Sequence, residues 1–216
     1  MTAFTGSPKL LKGGIVLIDP ATAQVQRIIA LQYNPESLSR TLQVQGVSEG
    51  GDRSEALRLK GPAVETIKLD AEIDATDDME AGDRTVGEAG ISPQLAALET
   101  LLYPSTGQLT TNHTLSSLGT LEILPMETAL ALFVFGQHRV IPVRLTDFSV
   151  TEEAFDPNLN PIRAKVSLGM RVLSIDDVGF THKAGSLFMS YLQQKEGLRA
   201  KAQSGTLGAL GLTGIP

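Results

Sequence analysis

The segment that decides the fold runs from Leu130 to Leu173 and reads LALFVFGQHRVIPVRLTDFSVTEEAFDPNLNPIRAKVSLGMRVL. Towards its C-terminal end, Ile162, Ala164, Val166, Leu168, Met170 and Val172 alternate with Arg163, Lys165, Ser167, Gly169 and Arg171. Successive side chains of a strand point to opposite faces of a sheet, so this alternation predicts a half-buried antiparallel strand. The loop 155–161 precedes it, and two apolar runs flank the break 135–138. The segment therefore predicts the core of a β domain.

More strands are predicted on the N-terminal side of this core. The runs 14–19 and 25–32 are separated by turn residues and predict a hairpin. Pro35 favours a bend within 33–40, after which 41–44 continues as a strand. Residues 63–74 alternate again and place Ile67, Leu69, Ala71 and Ile73 on one face. A weak strand is expected at 121–124.

Two helices are predicted. Ser92 as N-cap and Pro93 at the first helical position indicate a helix that continues to about Tyr103. Residues 186–202 predict a second helix, with Leu187, Phe188, Tyr191, Leu192 and Leu198 on one side. Glycine, acidic or Ser/Thr-rich composition predicts loops at 46–62, 75–90 and 105–120.

The fold class predicted from these elements is mainly β (α+β). The chain of 216 residues, 42% hydrophobic and 19% charged, has the composition of a folded protein. We divide it into an N-terminal arm at 1–13, a β domain at 14–175, and a C-terminal helix with an apolar tail at 176–216.

Composition also argues against several function classes. A formal net charge of -6 argues against a dedicated nucleic-acid-binding protein. The absence of cysteine removes disulfides and thiolate chemistry. No window of about 18 apolar residues exists, so no direct membrane insertion is expected. The N-terminus has no signal-peptide pattern, and we expect assembly in the cytoplasm.

Candidate catalytic residues are few. The histidines His113, His138 and His182 lie far apart in the sequence and show no metal-ligand spacing. One GxSxG pattern occurs at 46–50, but no convincing helix follows Ser48, as a nucleophile elbow requires. We therefore expect no catalytic residue, no cofactor and no enzyme activity.

An acidic run between residues 70 and 83 is the remaining candidate for chemistry. It comprises Asp70, Glu72, Asp74, Asp77, Asp78, Glu80 and Asp83. Their spacing does not fit a calcium-binding EF-hand loop, and three of them share one strand face. We interpret the run as a solvated or interface face rather than a metal site, with calcium as the alternative.

Charged residues on the strands are candidates for contacts between protein subunits. The basic residues are Arg139, Arg144, Arg163, Lys165 and Arg171, and the acidic ones are Asp147, Glu152, Glu153, Asp156 and the 70–83 group. Such faces can pair across a heterologous interface between identical subunits, or they can be solvated. The charges alone do not distinguish a subunit interface from a solvated face.

Two regions of the sequence resemble a known family. They are the segment 133–164, with FVFG, RVIPVRL and FSVTEEAFDPNLNPIRA, and the earlier YNPESLSR at 33–40. They resemble the tube-associated baseplate protein of contractile injection systems, which are phage-tail-like particles of the antifeeding-prophage and virulence-cassette type. The likeness spans roughly residues 10 to 175.

The resemblance implies a tail-tube-like antiparallel β-barrel or sandwich with a packed helix, assembled as a hexameric ring. It implies a structural role as a tube initiator or spike adaptor that joins the inner tube to the spike hub. The implied partners are further copies of this chain, the spike hub protein, inner tube proteins and baseplate wedge proteins. The particle that contains the ring is one that can be released from the cell. An inner tube subunit is the alternative placement.

The chain departs from the family at its C-terminal end. Members often carry a LysM module there, and nothing after Leu173 matches one. We expect the apolar tail to dock onto a baseplate neighbour instead. The candidate contact residues are Asn34, Pro35, Arg40, Arg144, Asp156, Asn160, Arg163, Lys165, Leu207 and Leu210. The alternative from another class is a soluble β-rich ligand-binding protein or a hydrolase that uses Ser48.

Overall fold

Seven antiparallel strands form one sheet in the computed structural model of the protein, which describes residues 10–46, 58–80, 84–117 and 128–215. The strands are β1 (Gly14–Ile18), β2 (Val25–Ala30), β3 (Leu38–Gln43), β4 (Val64–Asp74), β5 (Leu130–Val134), β6 (Val140–Phe155) and β7 (Pro161–Val172). Their order across the sheet is β2-β1-β5-β6-β7-β4-β3. The predicted mainly β, α+β fold class is confirmed.

The long hairpin β6–β7 lies at the centre of this sheet, as the segment 130–173 predicts. On β7 the predicted apolar face is inside, since Ala164, Val166 and Met170 are fully buried. β4 pairs with β7 from Thr66 to Asp74 and contributes its own apolar face to the same core. The predicted hairpin at 14–32 is also confirmed, because β1 pairs with β2 in antiparallel register.

Six helices of the described chain accompany the sheet. They are α1 (Thr76–Glu80), α2 (Arg84–Ala89), α3 (Ser92–Glu99), α4 (Thr106–Ser117), α5 (Ile175–Val178) and α6 (Lys183–Arg199). Three of them contribute buried side chains to the main core, α2 through Val86, α3 through Leu95 and Leu98, and α6 through Phe188 and Tyr191. α6 begins three residues before the predicted start and ends three before the predicted end. Leu198, expected on its apolar side, is exposed.

The predicted N-cap of α3 is wrong. Ser92 is the first helical residue, Ile91 occupies the cap position, and no side chain caps the helix. Ile91 is fully buried, and its backbone N–H donates to the carbonyl of Pro161 at the start of β7. Burial and this hydrogen bond therefore fix the start of the helix. It ends at Glu99 rather than at Tyr103.

The predicted loops at 75–90 and 105–120 are wrong as well. α1 follows Asp74, whose carboxylate accepts hydrogen bonds from the backbone and hydroxyl of Thr76. In α4 the hydroxyls of Thr110, Thr111 and Thr114 donate to carbonyls four residues earlier. Such residues have modest helix propensity and no buried face here, so neither composition nor periodicity signals the helix. Within the predicted loop 46–62, residues 47–57 lie outside the described part of the chain, and so does the predicted strand at 121–124.

Candidate functional site

The most buried charged group of the described chain is the carboxylate of Glu65 on β4, which is 3% exposed. It falls on the same face of β4 as Ile67 and Leu69, so its side chain points into the apolar core. A charge in this position is tolerated only with partners that satisfy its oxygens.

Three side chains supply those partners. Arg40 on β3 donates through Nε to Oε1 of Glu65 at 2.7 Å, and Lys195 on α6 donates through Nζ to Oε2 at 3.0 Å. The hydroxyl of Tyr191 on α6 donates to Oε1 at 3.0 Å and accepts from Arg40 at 2.9 Å. The Lys195 ammonium also lies 4.0 Å from the centroid of the Tyr191 ring. We call these four residues the Glu65 cluster.

The pKa of Glu65 reflects two opposing effects. Burial alone raises it, but hydrogen bonds and charges from Lys195 and Arg40 together bring the pKa below its ordinary value. Burial raises the pKa of Tyr191, which keeps its hydroxyl protonated as a donor. The cluster is thus an ionised, fully satisfied network that ties α6 to the edge of the sheet.

Arg40, predicted as a contact residue, is therefore engaged inside the chain. Asn34 is engaged inside the chain too: its side-chain oxygen accepts from the backbone of Gly13, and its nitrogen donates to the carbonyl of Leu11. Pro35 follows it and is half-buried. These residues tie the segment before β1 to the connection between β2 and β3. Contact with a neighbouring chain stays a prediction for all three.

The outer face of β7 carries the basic residues predicted to make contacts, and most of them are paired within the chain. Arg163 donates to Asp74 at 2.7 Å, and Lys165 contacts Glu153 at 2.9 Å. Arg171 contacts Asp177 of α5, also at 2.7 Å. The hydrogen bond that Arg163 donates to Asp74 raises the pKa of Arg163, and the one that Lys165 donates to Glu153 raises the pKa of Lys165. These pairs are at the surface, where each stabilises the fold little.

Arg144 differs from the other basic strand residues. It lies directly opposite Arg171 in the β6–β7 register. Like charges at opposed positions repel each other, and of these two arginines only Arg171 has a carboxylate partner among the described residues. Arg144 lines a cleft of about 900 Å³ together with leucines of β1, β5 and β6.

The β6–β7 loop is organised by the side chain of Asp156. Its Oδ1 accepts from the backbone N–H groups of Asn158 and Asn160, both at 2.8 Å, and its Oδ2 accepts from the side chain of Asn160 at 2.9 Å. The Asn160 side chain also donates to the carbonyl of Glu88, at the end of α2. Hydrogen bonds from Asn160 hold the pKa of Asp156 below its ordinary value. Asp156 and Asn160 thus form the internal scaffold of the loop.

The predicted tail residues Leu207 and Leu210 lie in a short 3₁₀ turn near the C-terminal end and are both exposed. Leu207 is 41% exposed and Leu210 is 74% exposed, and docking of the tail onto a neighbour stays a prediction.

The three histidines do not come together. His113 lies on α4, His138 lies in the turn between β5 and β6, and His182 caps α6 by accepting from the backbone of Ala184. Of the GxSxG pattern only Gly46 is described, and Ser48 lies outside the described residues.

The acidic run does not form a cation site among the residues that the structure describes. Within 10–46, 58–80, 84–117 and 128–215, no group of three metal-ligating side chains is arranged to hold an ion. Asp83 of the acidic run is outside these ranges. None of the described helices has the length and apolar character needed to cross a bilayer.

Comparisons with known proteins add little to this geometry. No protein-family model and no curated protein matches the sequence. One solved structure that matches is a chain from the tail of an empty GTA particle, computed with helical refinement and C6 symmetry. The two chains are 13% identical, the match covers 74% of this chain and 90% of that chain, and the TM-score is 0.29. At this score the likeness carries no argument about function.

Proposed function

We propose that this protein is a structural, non-enzymatic component of a phage-tail-like contractile injection system. In this role it forms a ring, hexameric in the family it resembles, that joins the inner tube to the spike hub and baseplate. Its partners are copies of itself, the spike hub protein, inner tube proteins and baseplate wedge proteins. Assembly takes place in the cytoplasm, within a particle that can later be released. The sequence resemblance at 33–40 and 133–164 is the starting point.

The observation that carries the proposal is that both edges of the sheet are open and expose apolar side chains. β2 and β3 are the outer strands, and no other described strand pairs with their free sides. Both edges expose large apolar side chains, which are Val25 and Ile28 on β2 and Leu42 on β3. Open strand edges with exposed apolar residues favour pairing with another chain, and isolated proteins usually protect them. In a subunit of an assembly, such edges can pair with a neighbouring chain.

The test is to locate the protein in isolated sheathed particles. We expect an antibody or a genetically added tag on this chain to label the particle end that carries the baseplate. Replacing Ile28 or Leu42 by lysine should remove the chain from the particle, because a charge at an edge strand opposes pairing. Replacing the exposed Lys68 by alanine is the control and should leave incorporation intact.

Two results would contradict the proposal. One is a chain that never co-purifies with sheathed particles. The other is labelling by a serine-directed probe that disappears in Ser48→Ala, which would instead support the hydrolase.

A further inference from the structure

The β6–β7 loop holds an apolar side chain in solvent at a cost in free energy. Leu159 is 79% exposed, and its φ of +66° lies in the left-handed region that residues other than glycine, Asn and Asp rarely adopt. Phe155, at the end of β6 and four residues before Leu159 in the chain, is half exposed. A strained and rigid loop that presents apolar groups to water suggests a binding role.

Hydrogen bonds within the loop hold it in one conformation. The Asp156 carboxylate accepts three hydrogen bonds inside the loop, and the backbone N–H of Leu159 donates to the Asp156 carbonyl. Asp156 and Asn160 therefore position the loop, whereas Leu159 and Phe155 are the side chains left for a partner. A pre-organised loop loses less conformational entropy on binding than a flexible one.

A cleft lies towards the other end of β6. The 900 Å³ cleft is lined by Leu17 of β1, Leu145 of β6 and the connection 101–105 after α3. On that connection Leu102 and Tyr103 are exposed. Arg144 is the one residue with a full charge among the described residues that line the cleft.

The cleft and the region next to the loop carry opposite charges. Arg144 repels the opposed Arg171 and has no carboxylate partner in the described chain. Glu152 lies three residues before Phe155, is exposed, and forms no ion pair with a described residue. A loop that enters the cleft with Glu152 nearby would supply the missing counter-charge.

One chain cannot make this contact with itself along β6. Arg144 and Glu152 are eight residues apart on the same strand, which corresponds to roughly 26 Å. The loop and the cleft are different surfaces, so their contact is heterologous and joins successive copies head to tail. We propose that Leu159 and Phe155 of one copy dock into the cleft beside Arg144 of the next. This inference deepens the proposed function and rests on the self-assembly included in it.

The test uses one variant on each surface. Leu159→Asn removes the apolar loop contact without adding a charge that Arg144 could attract, and asparagine tolerates the left-handed region better than leucine does, so the variant should fold. Leu102→Asp changes the exposed cleft wall. In sedimentation velocity we expect wild-type assemblies, monomers of either variant alone, and dimers with nothing larger when the variants are mixed. Only one loop and one cleft remain functional in each mixed pair, which limits assembly to two chains.

A crosslinking experiment detects weaker association. The chain has no cysteine, so Thr146→Cys with Asn158→Cys gives two unique thiols near the cleft and the loop and leaves Arg144 and Glu152 in place. Most of β6, roughly 30 Å, separates the two positions, so they cannot be joined within one copy. A short bismaleimide should produce a ladder of covalent oligomers at high protein concentration. Lys68→Cys with Asn158→Cys is the matched control and should give no ladder.

The outcomes separate the two proposals. If wild-type protein assembles and Leu159→Asn assembles equally well, or the mixed variants stay monomeric, the loop-to-cleft contact is wrong and self-assembly survives. If wild-type protein stays monomeric and the cysteine pair gives no ladder, both the contact and the self-assembly are contradicted. A ladder with monomeric wild type supports a weak contact of the proposed geometry.

Discussion

Replacing Glu65 by glutamine should destabilise the protein more than any other single loss of charge in the described sheet. The substitution keeps the size of the side chain and removes its charge. Arg40, Lys195 and Tyr191 all direct donors at the carboxylate. Glutamine can accept at one oxygen only, and its NH2 group opposes the donor on the other side.

The magnitude follows from the geometry of the cluster. Removing one partner from a buried ion pair costs about 3–5 kcal/mol, and a hydrogen bond to a charged group contributes about 1.5–3 kcal/mol. The side chains of Arg40 and Lys195 are 26% and 33% exposed, so water can solvate both after the substitution. We therefore expect a loss of about 2–4 kcal/mol in the free energy of unfolding.

Urea denaturation followed by circular dichroism measures this loss. The slope m should stay unchanged, because the surface exposed on unfolding is the same. The control is Glu196→Gln, an exposed neighbour of Lys195 on α6 that should change stability by less than about 0.5 kcal/mol. A loss below about 1 kcal/mol for Glu65→Gln would refute the view that a buried charge fixes α6 to the sheet.

Three further predictions concern stability. Gly90→Ala should cost about 3 kcal/mol or more by thermal denaturation, because φ is +57° and the new Cβ would overlap the carbonyl oxygen of Pro161; a stable variant would contradict the close approach. Asp156→Ala should speed amide exchange across 156–160 and weaken assembly while the rest of the sheet stays protected, and unchanged exchange would show that the loop does not depend on its carboxylate. The pKa of Glu65 is lowered from an ordinary value of 4.5, so its stabilisation is complete above about pH 4.5 and is lost as the pH falls through the folded pKa. Glu65→Gln should therefore flatten the fall in stability below that pH, and parallel curves for the two proteins would exclude Glu65 as the source.

The position of Glu65 follows from the sequence, whereas its partners do not. The alternation that buries Ile67 and Leu69 also places Glu65 on the inner face of β4, so the pattern is sufficient to predict a buried carboxylate. Arg40 and Lys195 are 25 and 130 residues away in the chain, and no local pattern links them to it. The motif at 33–40 marks Arg40 as a contact residue, and the structure engages it with Glu65.

At the β6–β7 loop the structure adds an internal role to two predicted contact residues. Asp156 and Asn160 are contact candidates in the segment that carries the family resemblance, and they also form the scaffold of the loop; contact with a neighbouring chain stays a prediction for both. Leu159 gives no signal in the sequence, because its exposure and positive φ exist only once the Asp156 hydrogen bonds close the loop. The charge of Arg144 is visible in the sequence, but its lack of a partner depends on the β6–β7 register.

Local sequence is sufficient to predict the strands of the segment 130–173, because alternation with period two follows directly from the geometry of a strand and the burial of one face. It is also sufficient for the hairpin at 14–32 and for the strand at 63–74. The folded chain alone shows the strand order and the helices α1, α2 and α4. It also shows that the loop and the cleft lie at opposite ends of β6. These features depend on contacts between residues far apart in the chain, and local patterns of hydrophobicity carry no information about which distant groups meet.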